Sequence, residues 1–113
     1  RASLGQAGHY GAAKWGIRGL TKTLAIELAD HDVNVNCVVP TGIQTDMVKG
    51  IAAEMGDEVF EQMQAMSGPA NIFNPDENIE VDDVSEAYMW LSSESARYVT
   101  GSALKVDAGD LAK

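Results

Sequence analysis

The sequence has 113 residues, with 17 Asp and Glu against 8 Lys and Arg, and a formal net charge of -9 at pH 7. Nucleic acids and anionic membranes require a basic surface on their protein partners. Because this chain is strongly acidic, neither is expected as a partner. Its 45% hydrophobic and 22% charged residues are typical of a folded soluble domain, expected in the cytoplasm. The single Cys37 cannot form an intramolecular disulfide, and no zinc-ligand spacing is present, so no metal site is predicted.

A helix is predicted from Tyr10 to about Asp30. Apolar residues recur there at spacings of three and four, which confines them to a stripe less than about 100° wide that is expected to face the core. The stripe consists of Ala13, Ile17, Leu20, Leu24 and Leu28. A second, weaker apolar line lies on roughly the opposite side and predicts a subunit contact; it consists of Trp15, Gly19 and Ile26.

Two short strands are predicted, at residues 33–39 and 103–107. The first is rich in Val, is closed by Pro40 and Gly42, and contains Cys37 as an expected small core residue. A helix followed by a short loop and an apolar strand is typical of a βαβ unit with a buried parallel sheet. The sequence therefore predicts an α/β fold and a single domain over residues 1–113.

The segment between the strands is predicted to be helical at both ends. Residues 47–66 indicate two short Met-rich helices broken near Gly56, which fit either ordinary packing or a lid over a substrate. Residues 68–78 contain two prolines and indicate a loop. A further helix is predicted to begin near Val81 and to end within residues 93–96. Acidic residues dominate this region, and a solvated outer face is expected rather than a metal site.

The pair Tyr10 and Lys14 is the main candidate for chemistry. Residues four apart on a helix project from the same side, one turn apart. An ammonium group near a phenol favours the phenolate and lowers the pKa of the tyrosine, which suits general acid-base work near neutral pH. The spacing alone also fits an ordinary helix-stabilising pair, so the surrounding sequence has to decide.

The surrounding sequence closely resembles the short-chain dehydrogenase/reductase family. Three motifs in order carry the resemblance, namely Tyr10 to Lys14, the strand and turn from Val35 to Thr45, and the ending from Tyr98 to Gly109. It implies the C-terminal portion of a Rossmann-type, doubly wound parallel-sheet domain. Finer features, including His9 and the form of the turn, resemble the mycofactocin-coupled branch, which includes carveol-dehydrogenase-like enzymes.

The resemblance implies a role for each matching residue. Tyr10 would exchange a proton with the oxygen of a small secondary alcohol or ketone, and Lys14 would bind the ribose of NAD or NADP and lower the pKa of Tyr10. The cofactor-binding residues would be Tyr10 and Lys14 together with Pro40, Thr41, Gly42, Ile43 and Thr45. A homodimer or homotetramer is also implied, and the family position of residues 47–66 favours the lid.

Other parts of the family pattern do not match this sequence. The glycine-rich phosphate turn and the catalytic Ser and Asn are expected upstream of Arg1, since Ser3 lies too close to Tyr10 to be that serine. The isolated chain is therefore expected to lack dehydrogenase activity. The competing interpretation is a non-catalytic binding or oligomerisation module that keeps the same helices.

Overall fold

A computed structural model describes the backbone at residues 8–40, 46–67 and 79–112. The chain divides into two compact units, one formed by residues 1–38 and 89–104, the other by residues 39–88 and 105–113. Each is described by itself. The single domain expected over residues 1–113 stays a prediction.

Helix α1, Gly8–Glu27, confirms the first predicted helix. Its predicted end near Asp30 falls in a 3₁₀ turn, Ala29–His31, that follows the helix. The Asp32 N–H donates to the Ala29 carbonyl, and Asp32 adopts a left-handed φ of 57°. A left-handed residue stops helix propagation, and it sends the chain toward the first strand.

The packed face of α1 differs from the predicted stripe. Thr21 and Ala25 are each 6% exposed, whereas Ile17 and Leu20 of the stripe are 48% and 56% exposed. At 100° per residue, the line through Thr21 and Ala25 lies about 80° around the helix axis from the centre of the predicted stripe. A Cβ added to Gly101 would lie 3.5 Å from the Ala25 Cβ, so the chain approaches α1 closely here and small side chains fit best. The spacing of apolar residues predicts a stripe, but it does not predict that the backbone at Gly101 lies close to Ala25.

The described part of the chain contains a two-stranded sheet formed by β1, Cys37–Pro40, and β2, Ala103–Val106. The position of β2 confirms the second predicted strand. The first was predicted to begin at Val33, which is wrong by four residues. The reason is that the side-chain amides of Asn34 and Asn36 hydrogen-bond to the facing backbone before the regular ladder begins.

The two strands are parallel, as predicted. The Gly101 N–H donates to the Val35 carbonyl at 2.7 Å, and the Cys37 N–H donates to the Ser102 carbonyl at 3.0 Å. Hydrogen bonds that advance in the same direction along both segments define a parallel pair.

Two consecutive helices follow β1 in sequence, α2 at Asp46–Met55 and α3 at Asp57–Ser67. They confirm the predicted break near Gly56, which has a φ of +82° that glycine adopts at little cost. The predicted loop at residues 68–78 lies outside the described residues.

Helix α4, Val81–Leu91, begins where predicted. At its start the Glu80 N–H donates to the Asp83 carboxylate at 2.9 Å, in the manner of a capping box. The helix ends before residues 93–96, where its end was predicted, because the chain there forms a separate 3₁₀ turn at Glu94–Ala96.

Apolar burial is sparse in the described residues. Ala25 and Ala96 are the buried apolar side chains, and Cys37 is half-buried rather than in the core, because few side chains surround it. The exposed large apolar side chains include Trp15, Ile26, Tyr88, Met89, Trp90 and Tyr98. Exposed apolar surface of this kind commonly marks interaction sites.

Candidate active site

Helix α1 holds the two residues predicted to do chemistry. Tyr10 and Lys14 both lie within it, four residues apart. At 100° per residue they are separated by about 40° around the helix axis, so they share a face one turn apart. Lys14 is exposed, while the Tyr10 side chain is outside the described side chains. The helix thus provides the spacing that the acid-base hypothesis requires.

Lys14 lies on the same line of α1 as the packed residues Thr21 and Ala25. The Thr21 hydroxyl donates to the Ile17 carbonyl at 2.8 Å, so its polar group is satisfied within the helix. Ala25 is the side chain nearest to Gly101. One end of this line therefore anchors α1 against neighbouring backbone, and the other end presents Lys14 at the surface.

Basic residues recur on this side of α1. Lys14, Arg18 and Lys22 occupy successive turns and make up three of the eight basic residues of the chain. The Arg18 guanidinium lies 4.8 Å from the centre of the Trp15 ring, within the range of a cation–π contact. The acidic residues described between positions 49 and 94 are all exposed, which confirms the predicted solvated face for those residues. The α1 face favours an anionic or oxygen-rich ligand in an otherwise acidic chain.

A groove of about 370 Å³ runs beside α1, bordered by Trp15, Arg18, Thr21, Cys37 and Ser102. Its walls are mainly apolar. Among the residues that the structure describes, its lining contains none of the predicted site residues. Lys14 of the predicted acid-base pair is not among the residues that line the groove.

The predicted cofactor turn begins at Pro40. This residue is exposed and ends β1 at its carboxyl end, the end at which open parallel sheets bind ligands. The rest of the turn lies outside the described residues, namely Thr41, Gly42, Ile43 and Thr45. Pro40 and Lys14 belong to different compact units, so their joint role stays a prediction.

The sequence pattern does not predict a role for the amide of Asn36. Its Nδ2 donates to the Val99 carbonyl at 2.7 Å, and its Oδ1 accepts from the Ser102 N–H at 3.1 Å. The signal in the sequence is an asparagine within a run of valines, because strands disfavour asparagine.

Two further classes of site are absent from the described ranges. Within residues 8–40, 46–67 and 79–112, no three His, Cys, Asp or Glu side chains are grouped so that they could hold a metal ion. Over the same ranges, no helix has both the length and the apolar character needed to cross a membrane.

Comparison with known proteins decides the family. A family model described as enoyl-(acyl carrier protein) reductase matches residues 1–110. The structure resembles an oxidoreductase of the short-chain dehydrogenase/reductase family from Burkholderia thailandensis, with a TM-score of 0.77 and 37% identity over 99% of this chain and 41% of that chain. The chain belongs to the short-chain dehydrogenase/reductase family.

Two further relatives of this short-chain dehydrogenase/reductase carry more specific names. The chain is 40% identical to (-)-trans-carveol dehydrogenase from Rhodococcus erythropolis, over 96% of this chain and 41% of that protein. It also resembles carveol dehydrogenase from Mycobacterium avium in complex with NAD, with a TM-score of 0.80 and 35% identity over 100% of this chain and 43% of that chain. The chain thus spans about two-fifths of the length of these relatives. Their fold confirms the predicted class, an α/β portion of a Rossmann-type domain.

Proposed function

We propose that these 113 residues form the C-terminal half of a nicotinamide-dependent alcohol dehydrogenase or ketone reductase. The observation that carries the proposal is the placement of Tyr10 and Lys14 one turn apart on α1 in a member of the short-chain dehydrogenase/reductase family. In this proposal the full-length enzyme interconverts a small secondary alcohol and its ketone.

Tyr10 is the proposed general acid and base. Its phenolic oxygen holds a proton that passes to the substrate oxygen during reduction and returns during oxidation. In this proposal the positive charge of Lys14 favours the phenolate form of Tyr10. A bound nicotinamide cofactor supplies hydride transfer at the substrate carbon.

The residues present fit such a cofactor in part. An exposed lysine ammonium offers three hydrogen-bond donors, which suit the hydroxyl oxygens of a ribose. The turn that begins at Pro40 follows a parallel strand at its carboxyl end, where dinucleotides bind in open α/β sheets. We therefore assign Thr41, Gly42, Ile43 and Thr45 to the nicotinamide side of the site. The NAD-bound relative supports NAD as the cofactor, with NADP as the alternative.

The proposed substrate is small and apolar, such as a terpenoid alcohol. Helices α2 and α3 expose Ile51, Met55 and Val59, and flexible methionine side chains adapt to irregular apolar shapes. Two similar proteins are named carveol dehydrogenases. Membership in the mycofactocin-coupled branch and a cytoplasmic location stay predictions.

The proposed enzyme is a homodimer or homotetramer that uses the outer face of α1. Trp15 and Ile26 are 68% and 78% exposed, which agrees with the predicted second apolar line. Large apolar side chains at this exposure are typical anchors of an interface.

A substrate panel tests the proposed activity. The purified full-length protein is incubated with NAD or NADP and with secondary alcohols, primary alcohols and polyols, and the reduced cofactor is followed by its absorbance. The proposal predicts turnover that is highest for apolar secondary alcohols. The absence of both cofactor binding and turnover would instead favour the binding or oligomerisation module, which keeps the helices without the cofactor half.

A further inference from the structure

The hydrogen bonds before β1 and β2 contain one irregularity. The Gly101 N–H donates to the Val35 carbonyl. In a regular parallel ladder, the next hydrogen bond would run from the Cys37 N–H back to the Gly101 carbonyl. Here the Cys37 N–H donates to the Ser102 carbonyl instead, at 3.0 Å. The β2 side therefore contains one extra residue, which is a β-bulge, and Gly101 has the left-handed φ of +70° that bulges often require.

The side chain of Asn36 completes the hydrogen bonding at this bulge. The extra residue turns the Ser102 N–H away from the backbone ladder, and Asn36 Oδ1 accepts it at 3.1 Å. The same amide donates from Nδ2 to the Val99 carbonyl at 2.7 Å, so one side chain bridges both ends of residues 99–102. Asn supplies a donor and an acceptor at the required reach, whereas an Asp at pH 7 supplies acceptors alone.

This bridge fixes the register of β1. A shift by one residue in a strand reverses the face of every side chain that follows, and a bulge inserts one extra residue into one of the two paired segments. β1 runs from Cys37 directly to Pro40, where the proposed cofactor turn begins. The interaction that sets which β2 residue lies opposite Cys37 therefore also sets where the chain leaves β1.

We propose that Asn36 is a positioning residue whose amide locks the bulge at Gly101–Ser102 and thereby fixes the register in which β1 reaches Pro40, the start of the proposed cofactor turn. The proposal rests on the proposed function, because it assigns that turn to the nicotinamide cofactor. It adds a residue that touches neither substrate nor cofactor and acts through the backbone of β1.

The variant Asn36→Asp tests the proposal in the full-length enzyme, with Asn34→Asp as its matched control. Asn34 lies on the same segment and donates to the Arg97 carbonyl at 2.8 Å, outside the bulge. Because Asn36→Asp leaves the Val99 carbonyl without its donor, the KM for NAD is expected to rise about tenfold while kcat changes less than about twofold. In the control, both constants should stay within about twofold of the parent.

A merely structural role would give a different result. It would lower the melting temperature of Asn36→Asp but leave the KM for NAD unchanged, and that outcome would overturn the proposal. An equal rise of KM in Asn34→Asp would overturn it as well, since the effect would not belong to the bulge.

Hydrogen exchange in the parent enzyme provides a measurement that needs no variant. If the locked bulge favours cofactor binding, then by linkage bound NAD must stabilise the bulge and slow exchange of the Ser102 amide. NAD binding without slower exchange at Ser102 contradicts the role of Asn36 and leaves the proposed function intact. No NAD binding at all contradicts the proposed function itself, so the two failures are distinguishable.

Discussion

Lys14 is the charged residue on which the proposed chemistry depends. It is exposed on α1, one turn after Tyr10, and it belongs to a line of basic residues on that helix. A lysine is a compact charge with three donors on a flexible stem, so one residue serves both a ribose and a nearby phenol.

Replacing Lys14 with Met in the full-length enzyme should impair binding and chemistry together. The loss of charge-assisted hydrogen bonds is expected to raise the dissociation constant of NAD at least about tenfold, and the loss of positive charge should lower kcat as well. Cofactor fluorescence and initial rates measure the two effects. Lys22→Met is the control, because Lys22 is an exposed lysine of the same helix, two turns further along. Equal effects at the two positions would show that Lys14 acts through general charge alone.

The residues of α1 also show where sequence reasoning succeeds and where it stops. The spacing of Tyr10 and Lys14 predicts their shared face, because helix geometry alone decides it. The packed positions Thr21 and Ala25 were missed, because a hydrophobic pattern favours large side chains while close backbone approach selects small ones. The hydrogen bonds of Asn36 depend on a bulge that no local pattern in the sequence predicts.

At the scale of elements, the turn before β2 depends on Gly101. Its φ of +70° is a conformation that side-chain-bearing residues adopt at a cost. Gly101→Ala is expected to lower the free energy of unfolding by about 1–2 kcal/mol, the cost of a left-handed L-residue. Denaturant unfolding followed by circular dichroism measures the change.

A glycine in an ordinary helix provides the control for Gly101. Gly50 lies inside α2, and a Cβ added there would meet nothing within 4 Å. Gly50→Ala should raise the free energy of unfolding by about 0.5–1 kcal/mol, because alanine costs less backbone entropy in a helix. Equal free energies of unfolding for the two variants would contradict the claim that the positive φ of Gly101 makes alanine costly there.

The elements differ in how well the sequence predicts them. The three helices α1, α3 and α4 carry long periodic patterns or clear breaks, and the structure confirms them with small shifts at their ends. Strand β1 is shorter than predicted, since propensity does not reveal that the side-chain amides of Asn34 and Asn36 also hydrogen-bond to the facing backbone.

At the scale of the whole molecule, the exposed line of α1 is the surface proposed for assembly. Ile26→Glu in the full-length protein is expected to shift sedimentation toward the monomer without unfolding it, because an unpaired charge in an apolar contact is costly. Ile26→Leu, which keeps the apolar volume, should retain the parental oligomer. An unchanged oligomer in Ile26→Glu would remove this part of α1 from the interface.

The fold class of the whole chain was predictable because three motifs in order resemble one family, and the family match over residues 1–110 agrees. The substrate was not predictable in the same way. This chain spans only about two-fifths of the length of the relatives whose names include a substrate.

The turnover of Tyr10→Phe in the full-length enzyme tests the central claim most directly. The substitution removes one hydroxyl, so kcat is expected to fall about 100-fold to 10,000-fold, the usual contribution of a general acid-base group. The dissociation constant of NAD should stay within about twofold, because the phenol contributes mainly to chemistry. Retention of half or more of the parental kcat would contradict the assignment of Tyr10 as the proton donor and acceptor.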